Sequence, residues 1–239
     1  MLQAIKKQFQ VQWKDWLATD GMIVGAGLIG VLLFQLLTRF DTDTASGLAL
    51  GTLTGGIAAA IFILVVSTAQ IAVCFNLQIA MGSTRKQFLG SWFVVEMTEA
   101  VAAAMLLTLF CFCEERLYLM WYPEMEADPD ILPYLIRFGI PAAVAVAALG
   151  NFCGALILRY GKKAFWALWA AWMVLWIGFP RIMDAAEKAP GSFYGKIGVA
   201  VSRFFRTVPS NMWVLLMFLF AAAGMILTWG ILKKQQVTG

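Results

Sequence analysis

The sequence contains no histidine, and this absence limits the chemistry that the chain can perform. Without imidazole there is no Ser-His or Cys-His nucleophile and no histidine-ligated metal. The cysteines, Cys74, Cys111, Cys113 and Cys153, have no paired spacing that would indicate a metal site or a disulfide framework. We therefore expect neither a catalytic site nor a metal site in this chain.

Two binding motifs are also missing. The phosphate-binding loop Gly-x-x-x-x-Gly-Lys-[Ser/Thr] does not occur anywhere in the sequence, so the chain offers no nucleotide site of its own. The basic residues are dispersed and do not form the single stripe that is typical of a nucleic-acid-binding surface. We expect the chain to bind neither a cofactor nor nucleic acid.

Charged residues are scarce, and apolar residues take their place. Only 13% of the 239 residues are charged, 61% are hydrophobic, and the mean hydropathy is +0.77. Because this composition cannot supply a soluble surface, it predicts an integral membrane protein. The apolar runs are unbroken, which favours spanning helices over the alternating strands of a barrel. The prediction is an all-α membrane protein with a single transmembrane domain and six spans at about 21–38, 47–76, 89–113, 134–158, 164–179 and 212–232.

The basic residues predict the orientation, because lysine and arginine are the residues most costly to translocate. They concentrate in the N-terminal segment, in the loops after the second and fourth spans, and in the tail. Most acidic residues fall in the other loops, although the last of these loops is mixed in charge. Both termini are therefore predicted to lie inside. The basic residues concerned are Lys6, Lys7, Lys14, Arg85, Lys86, Arg159, Lys162, Lys163, Lys233 and Lys234.

The first 20 residues have the pattern of an amphipathic interfacial helix rather than that of a cleaved signal. Apolar residues recur every three or four positions, and the lysines fall mostly on the other side of the helix. A frayed lead-in with no mechanical role is the alternative. The apolar positions are Leu2, Ile5, Phe9, Trp13 and Trp16.

A short polar break, from Met81 to Phe88, separates the second and third apolar runs. Gly82 is suited to end a helix in a left-handed turn. Thr84 and Gln87 have the spacing of a capping box, which predicts the start of a short helical piece that carries Arg85 and Lys86 at the cytosolic face. An ordinary turn, whose basic residues only set the topology, remains the alternative.

Two acidic residues, Glu96 and Glu99, lie within the third apolar run. Their spacing of three places them on one face of the helix. A charged acid near the midplane costs about 2.5–3.5 kcal/mol on insertion scales, so both should face protein or water. They are candidates for a translocation path or a subunit contact. The alternative is a pair of protonated or hydrogen-bonded structural acids.

Three further segments have recognisable patterns. Residues 193–208 alternate apolar and basic positions in a way that predicts an amphipathic helix at the outer surface, before the last span. The acidic run from Glu114 to Asp130 is expected to form a solvated cap. The tryptophans at 166, 169, 172 and 176 form a stripe that could hold an apolar substrate, although packing or contact with lipid is the more common use of such a stripe.

Small residues also recur every four positions, which is typical of closely packed membrane helices. On the second span they are Gly47, Gly51, Gly55 and Ala59, and on the first they are the pairs Gly21 with Gly25 and Ala26 with Gly30. Such stripes more often pack helices within one subunit than across a dimer.

Two segments of the sequence carry a family resemblance. Residues 76–88, with the sequence NLQIAMGSTRKQF, resemble the segment after the second membrane helix in permease subunits of bacterial ABC type-2 transporters. Residues 150–163 are similar to the end of the fourth helix and the second cytosolic turn of the same permeases. The resemblance also covers the layout of an N-terminal amphipathic helix, six spans and a long outer segment.

The resemblance implies one half of an exporter in the bacterial plasma membrane, with both termini cytoplasmic. Such a permease pairs with a second copy or a homologous permease in the lipid bilayer and rests on a cytosolic ABC ATPase, which binds the ATP and Mg. Gly82, Ser83, Thr84, Arg85, Lys86 and Gln87 would couple to that ATPase, and Arg159, Lys162 and Lys163 would form the second cytosolic turn. The expected cargo is amphiphilic, such as a peptide or a lipid-like compound.

Two other functions stay open at this point. A secondary transporter would use Glu96 and Glu99 to couple export to protons, without an ATPase. A membrane immunity or sensor protein would move no substrate under either driving force.

Overall fold

The computed structural model describes residues 2–40, 49–80, 84–122 and 131–233. Within these ranges the chain forms seven helices and no strand, and six of the helices are long and apolar enough to cross a membrane. The chain is thus an all-α, multi-pass membrane protein, as predicted. The helices are α1 Leu2–Phe40, α2 Leu50–Ala80, α3 Arg85–Trp121, α4 Ile131–Tyr160, α5 Lys162–Lys188, α6 Phe193–Thr207 and α7 Ser210–Lys233.

The N-terminal segment differs from its prediction. It is helical, but it does not form a separate interfacial helix, because α1 continues without a break through the predicted start of the first span near residue 21. The whole helix has 39 residues and a length of roughly 58 Å, which exceeds the hydrocarbon thickness. Gln8, Gln12 and Thr19 are buried, whereas Phe9 and Trp13 are exposed. The polar side of this segment therefore packs inward, and its apolar side faces outward.

The helices form two compact units, one of residues 1–155 with 217–239 and the other of residues 156–216. In the first unit the side chains of Gln8 and Gln78 are hydrogen-bonded, so α1 begins where α2 ends. Arg85 at the start of α3 bonds to Lys233 at the end of α7. We call this the basal end, and the opposite end of the same unit the distal end. The described termini, Leu2 and Lys233, therefore both lie at the basal end.

Small side chains allow the helices of the first unit to approach closely. A Cβ atom on Gly30 would lie 2.5 Å from the carbonyl oxygen of Leu50, and one on Gly51 would lie 2.6 Å from Val31. Gly21 and Gly25 have no neighbour within 4 Å of such an atom. The stripe on α2 thus packs against α1 within one chain, but only Gly30 of the α1 glycines that we singled out takes part. Gly47 lies outside the described residues.

The core of this unit lies between α1, α2, α3, α4 and α7. It is built mainly from alanine, together with larger aliphatic residues. This composition suits membrane helices, which associate through close packing rather than through exclusion of water. The buried core residues are Ile23, Ala59, Ile63, Ala100, Ala103, Leu107, Val144, Ala147, Ala148 and Ala221.

The second unit contains the predicted amphipathic segment. It forms α6, whose N-cap, Ser192, accepts a hydrogen bond from the Gly195 N–H at 3.0 Å. Gly195 and Gly198 bring α6 directly against the end of α5, and a Cβ atom on Gly198 would lie 2.7 Å from Ala186. The helix expected over residues 193–208 is confirmed. The tryptophan stripe of α5 is exposed along its whole length, from Trp166 to Trp176.

Candidate functional site

The first turn of α3 consists of Arg85, Lys86 and Gln87, at the basal end of the first unit. Thr84 is the N-cap, and its hydroxyl oxygen accepts a hydrogen bond from the Gln87 N–H at 3.3 Å. The capping interaction predicted from the sequence is therefore confirmed. Gly82 and Ser83 lie outside the described residues.

The short helical piece expected here is not a separate element, because Arg85 is the first residue of the 37-residue helix α3. Phe88 follows directly and is buried, with its ring 5.5 Å from that of Phe75 and 5.4 Å from that of Trp92. These contacts pack the start of α3 into the core.

The exposed groups of this turn point away from the core. Lys86 and Gln87 are exposed, and Arg85 is half-buried. The Arg85 Nη1 donates a hydrogen bond of 2.9 Å to the carbonyl oxygen of Lys233. Since the last carbonyls of a helix lack partners within the helix, this bond both satisfies one of them and fastens α7 to α3.

Replacing Thr84 by alanine should destabilise this turn by about 1 kcal/mol, because the Gln87 N–H loses its acceptor. Equilibrium unfolding of the purified protein in mixed micelles containing SDS would measure the loss. Thr84→Ser keeps the hydroxyl and should retain the stability. An equal loss in both variants would contradict the capping role.

The second predicted turn lies in the second unit. Arg159, Lys162 and Lys163 are all exposed, and only Gly161 separates α4 from α5. Gly161 has φ 60° and ψ −140°, a conformation that residues with a Cβ atom rarely adopt. A tight, basic corner is therefore present at the position expected from the sequence.

Glu96 and Glu99 are buried between α1, α2 and α3, with exposures of 2% and 6%. The hydroxyl of Ser67 on α2 interacts with Glu96, and that of Thr19 on α1 interacts with Glu99. The Oε2 atom of each carboxyl has no hydrogen-bond partner. The expectation that both acids face protein rather than lipid is confirmed.

A ladder of polar side chains joins α1 to α2 on the basal side of these acids, and we did not predict it. The Gln12 Nε2 donates to the Gln70 Oε1 at 3.0 Å, and the Gln70 Nε2 donates to the Asp15 Oδ2 at 2.8 Å. Gln8 and Gln78 form the next rung. Residues 8, 12, 15 and 19 follow one helix face at spacings of four, three and four, which is a signal that was available in the sequence.

Glu114 was also missed. We expected it in a solvated cap, but it is 1% exposed and accepts four hydrogen bonds. Two come from the backbone N–H groups of Gly51 and Thr52, at 2.7 and 2.6 Å. The others come from the hydroxyls of Thr52 and Tyr118, each at 2.6 Å. Glu114 therefore fastens the start of α2 to α3 at the distal end. Residues 123–130 of the expected cap lie outside the described residues.

Comparison with family models, with curated proteins and with solved structures finds no match to this chain.

Proposed function

We propose that the chain is the membrane subunit of a bacterial ATP-driven exporter of the ABC type-2 class. It pairs with a second copy of itself or with a homologous permease and moves an amphiphilic peptide or lipid-like compound out of the cell. A separate cytosolic ATPase supplies the energy. Both termini lie in the cytoplasm, on the side that we have called basal.

The observation that carries this proposal is the capped first turn of α3. Its exposed Lys86 and Gln87 are available to a partner at the basal end, and Thr84 fixes the geometry of the turn. Because Arg85 bonds to the end of α7, a partner docked here would act on two spans at once. Such a coupled pair of helices is what a motor outside the membrane needs in order to change the balance between two conformations.

The basic residues at the basal end of the first unit support the cytoplasmic assignment. Lys6, Lys7 and Lys86 are exposed in the part of the unit that ends at the basal side. Retention of lysine and arginine in the cytoplasm is the general rule for multi-pass proteins. We accordingly assign the distal end, where α2 begins, to the outside of the cell.

Co-purification tests the proposal. Expressed together with the neighbouring reading frames of its genome, the chain should retain a polypeptide that carries a Gly-x-x-x-x-Gly-Lys-[Ser/Thr] loop and hydrolyses ATP. Arg85→Ala with Lys86→Ala should abolish this association, and Lys86→Glu should weaken it without touching the Arg85 bond to α7. Arg203→Ala with Arg206→Ala removes the same charge from α6 and should leave the complex intact.

A proton-coupled transporter is the second candidate, and the burial of Glu96 and Glu99 favours it. In that case vesicles that contain the chain alone should show proton flux, measured with an entrapped pH-sensitive dye, on addition of an amphiphilic peptide. Flux in the absence of any ATPase would overturn the first proposal. Flux that requires the ATPase and ATP would overturn the second.

A further inference from the structure

The carboxyls of Glu96 and Glu99 lie close together on one face of α3, enclosed by neighbouring helices. The hydroxyl of Ser67 lies next to the Glu96 carboxyl and that of Thr19 next to the Glu99 carboxyl, although the Thr19 hydroxyl donates its own hydrogen bond to the Asp15 carbonyl oxygen at 3.0 Å. The second oxygens of the two carboxyls, both named Oε2, are buried without a partner. A buried carboxyl oxygen that lacks a donor is an unsatisfied acceptor, and the surrounding charges decide whether it binds a proton or a cation.

No positive charge in the described part of the chain compensates the pair. The charged or titratable groups that act on it are Asp15 and Asp20 from α1 and Cys74 from α2, in addition to the two glutamates themselves. From α4, Asn151 bonds to Trp92 instead, and from α7, Trp229 stacks on Phe93. The neighbours are thus neutral or acidic on every side.

Two charged carboxylates are energetically unfavourable in this environment. Removing one carboxylate from water costs several kcal/mol, and a like charge close by adds to that cost. A carboxylic acid avoids both penalties, and its O–H group can still donate a hydrogen bond. A metal ion is a poor alternative, because no three acidic or cysteine side chains of the described residues come close enough together to hold one.

We propose that Glu96 and Glu99 form a proton-binding site inside the helix bundle. One proton from water adds to Oε2 of each carboxylate and converts it to the neutral acid. No other bond forms or breaks, and the same proton returns to water when the site empties.

A cavity lies next to this site. A cavity of about 300 Å³ opens between α1 and α2, with Asp15, Thr19 and Gln70 among its lining residues. Thr19 belongs both to this cavity and to the contact with Glu99. The volume equals the share of roughly ten waters in the liquid, and Thr19, which is itself buried, connects this cavity to Glu99.

Infrared spectroscopy of the purified full chain tests the proposal directly. At neutral pH the difference between the natural protein and Glu96→Gln with Glu99→Gln should contain a carboxylic-acid C=O band, which shifts when H₂O is replaced by D₂O. Glu187→Gln, the same change at an exposed position, should show only a carboxylate band. A carboxylate band alone at positions 96 and 99 would overturn the proposal.

If the double variant does not fold, a pH titration of the natural protein, followed by infrared spectroscopy, tests the same proposal. The acid band should be present at neutral pH and disappear when the pH is raised far enough, and its absence at neutral pH would overturn the proposal. A hydrophobic carbodiimide, which reacts with protonated carboxyls, should label a residue of the pair and spare Glu187, as read by peptide mass spectrometry. All these measurements use the chain alone, so their failure leaves the docking of an ATPase untouched.

Discussion

Glu114→Ala is expected to lower the free energy of unfolding by about 2–6 kcal/mol. The substitution leaves the backbone N–H groups of Gly51 and Thr52 buried without an acceptor, and each such group costs about 1–3 kcal/mol. The hydroxyls of Thr52 and Tyr118 lose their acceptor as well. Equilibrium unfolding in mixed micelles containing SDS measures the change.

The neighbouring residue supplies a matched control. Glu115 is half-buried, and its described hydrogen bond is a long contact of 3.8 Å from the Cys111 thiol. Glu115→Ala should therefore change the stability by much less than Glu114→Ala. The loss of stability in Glu114→Gln should fall between those of Glu114→Ala and Glu115→Ala. The amide NH₂ would lie against donors whose hydrogen bonds a carboxylate oxygen accepts in the natural protein. Similar losses at 114 and 115 would refute the anchoring role of Glu114.

Gly154→Ala is expected to destabilise the protein by about 1–3 kcal/mol, because it overpacks the contact between α4 and α2. The added Cβ atom would lie 2.5 Å from the carbonyl oxygen of Thr68, and a backbone group cannot move aside alone. The helices must then separate, which also strains the 3.1 Å hydrogen bond from the Thr68 hydroxyl to the Gly150 carbonyl. The same unfolding experiment detects the loss.

Gly25→Ala is the control for this substitution. Gly25 lies inside α1, and an added Cβ atom there meets nothing within 4 Å. Because alanine is the better helix former, this variant should be neutral or more stable by up to about 1 kcal/mol. If Gly154→Ala is as stable as Gly25→Ala, the close packing of α4 against α2 at Gly154 is contradicted.

The helices could be predicted from local patterns, because each spanning helix needs only an apolar run of sufficient length. The cap at Thr84 and the helix over 193–208 were likewise local, since three or four residues of spacing define them. The continuation of α1 through residue 20 could not be predicted from a local pattern. This part of α1 packs on α2, where Gln12 bonds to Gln70, a residue 58 positions away in the chain.

The candidate sites show the same difference between features set by local sequence and features set by contacts far along the chain. The burial of Glu96 and Glu99 followed from the cost of a charge in a membrane. Glu114, by contrast, is followed in the sequence by further charged residues, and this local composition predicted that it would be exposed to solvent. Its backbone partners Gly51 and Thr52 lie 63 and 62 positions earlier in the chain, and no local pattern predicts that contact.

The bond between Arg85 and Lys233 bears on how this protein can be handled in the laboratory. A fluorescent reporter fused behind residue 233 would be tethered immediately beside the first turn of α3, and one fused ahead of Leu2 would stand near the paired glutamines 8 and 78. The exposed bend around Gly191, between α5 and α6, is the better place for an inserted epitope.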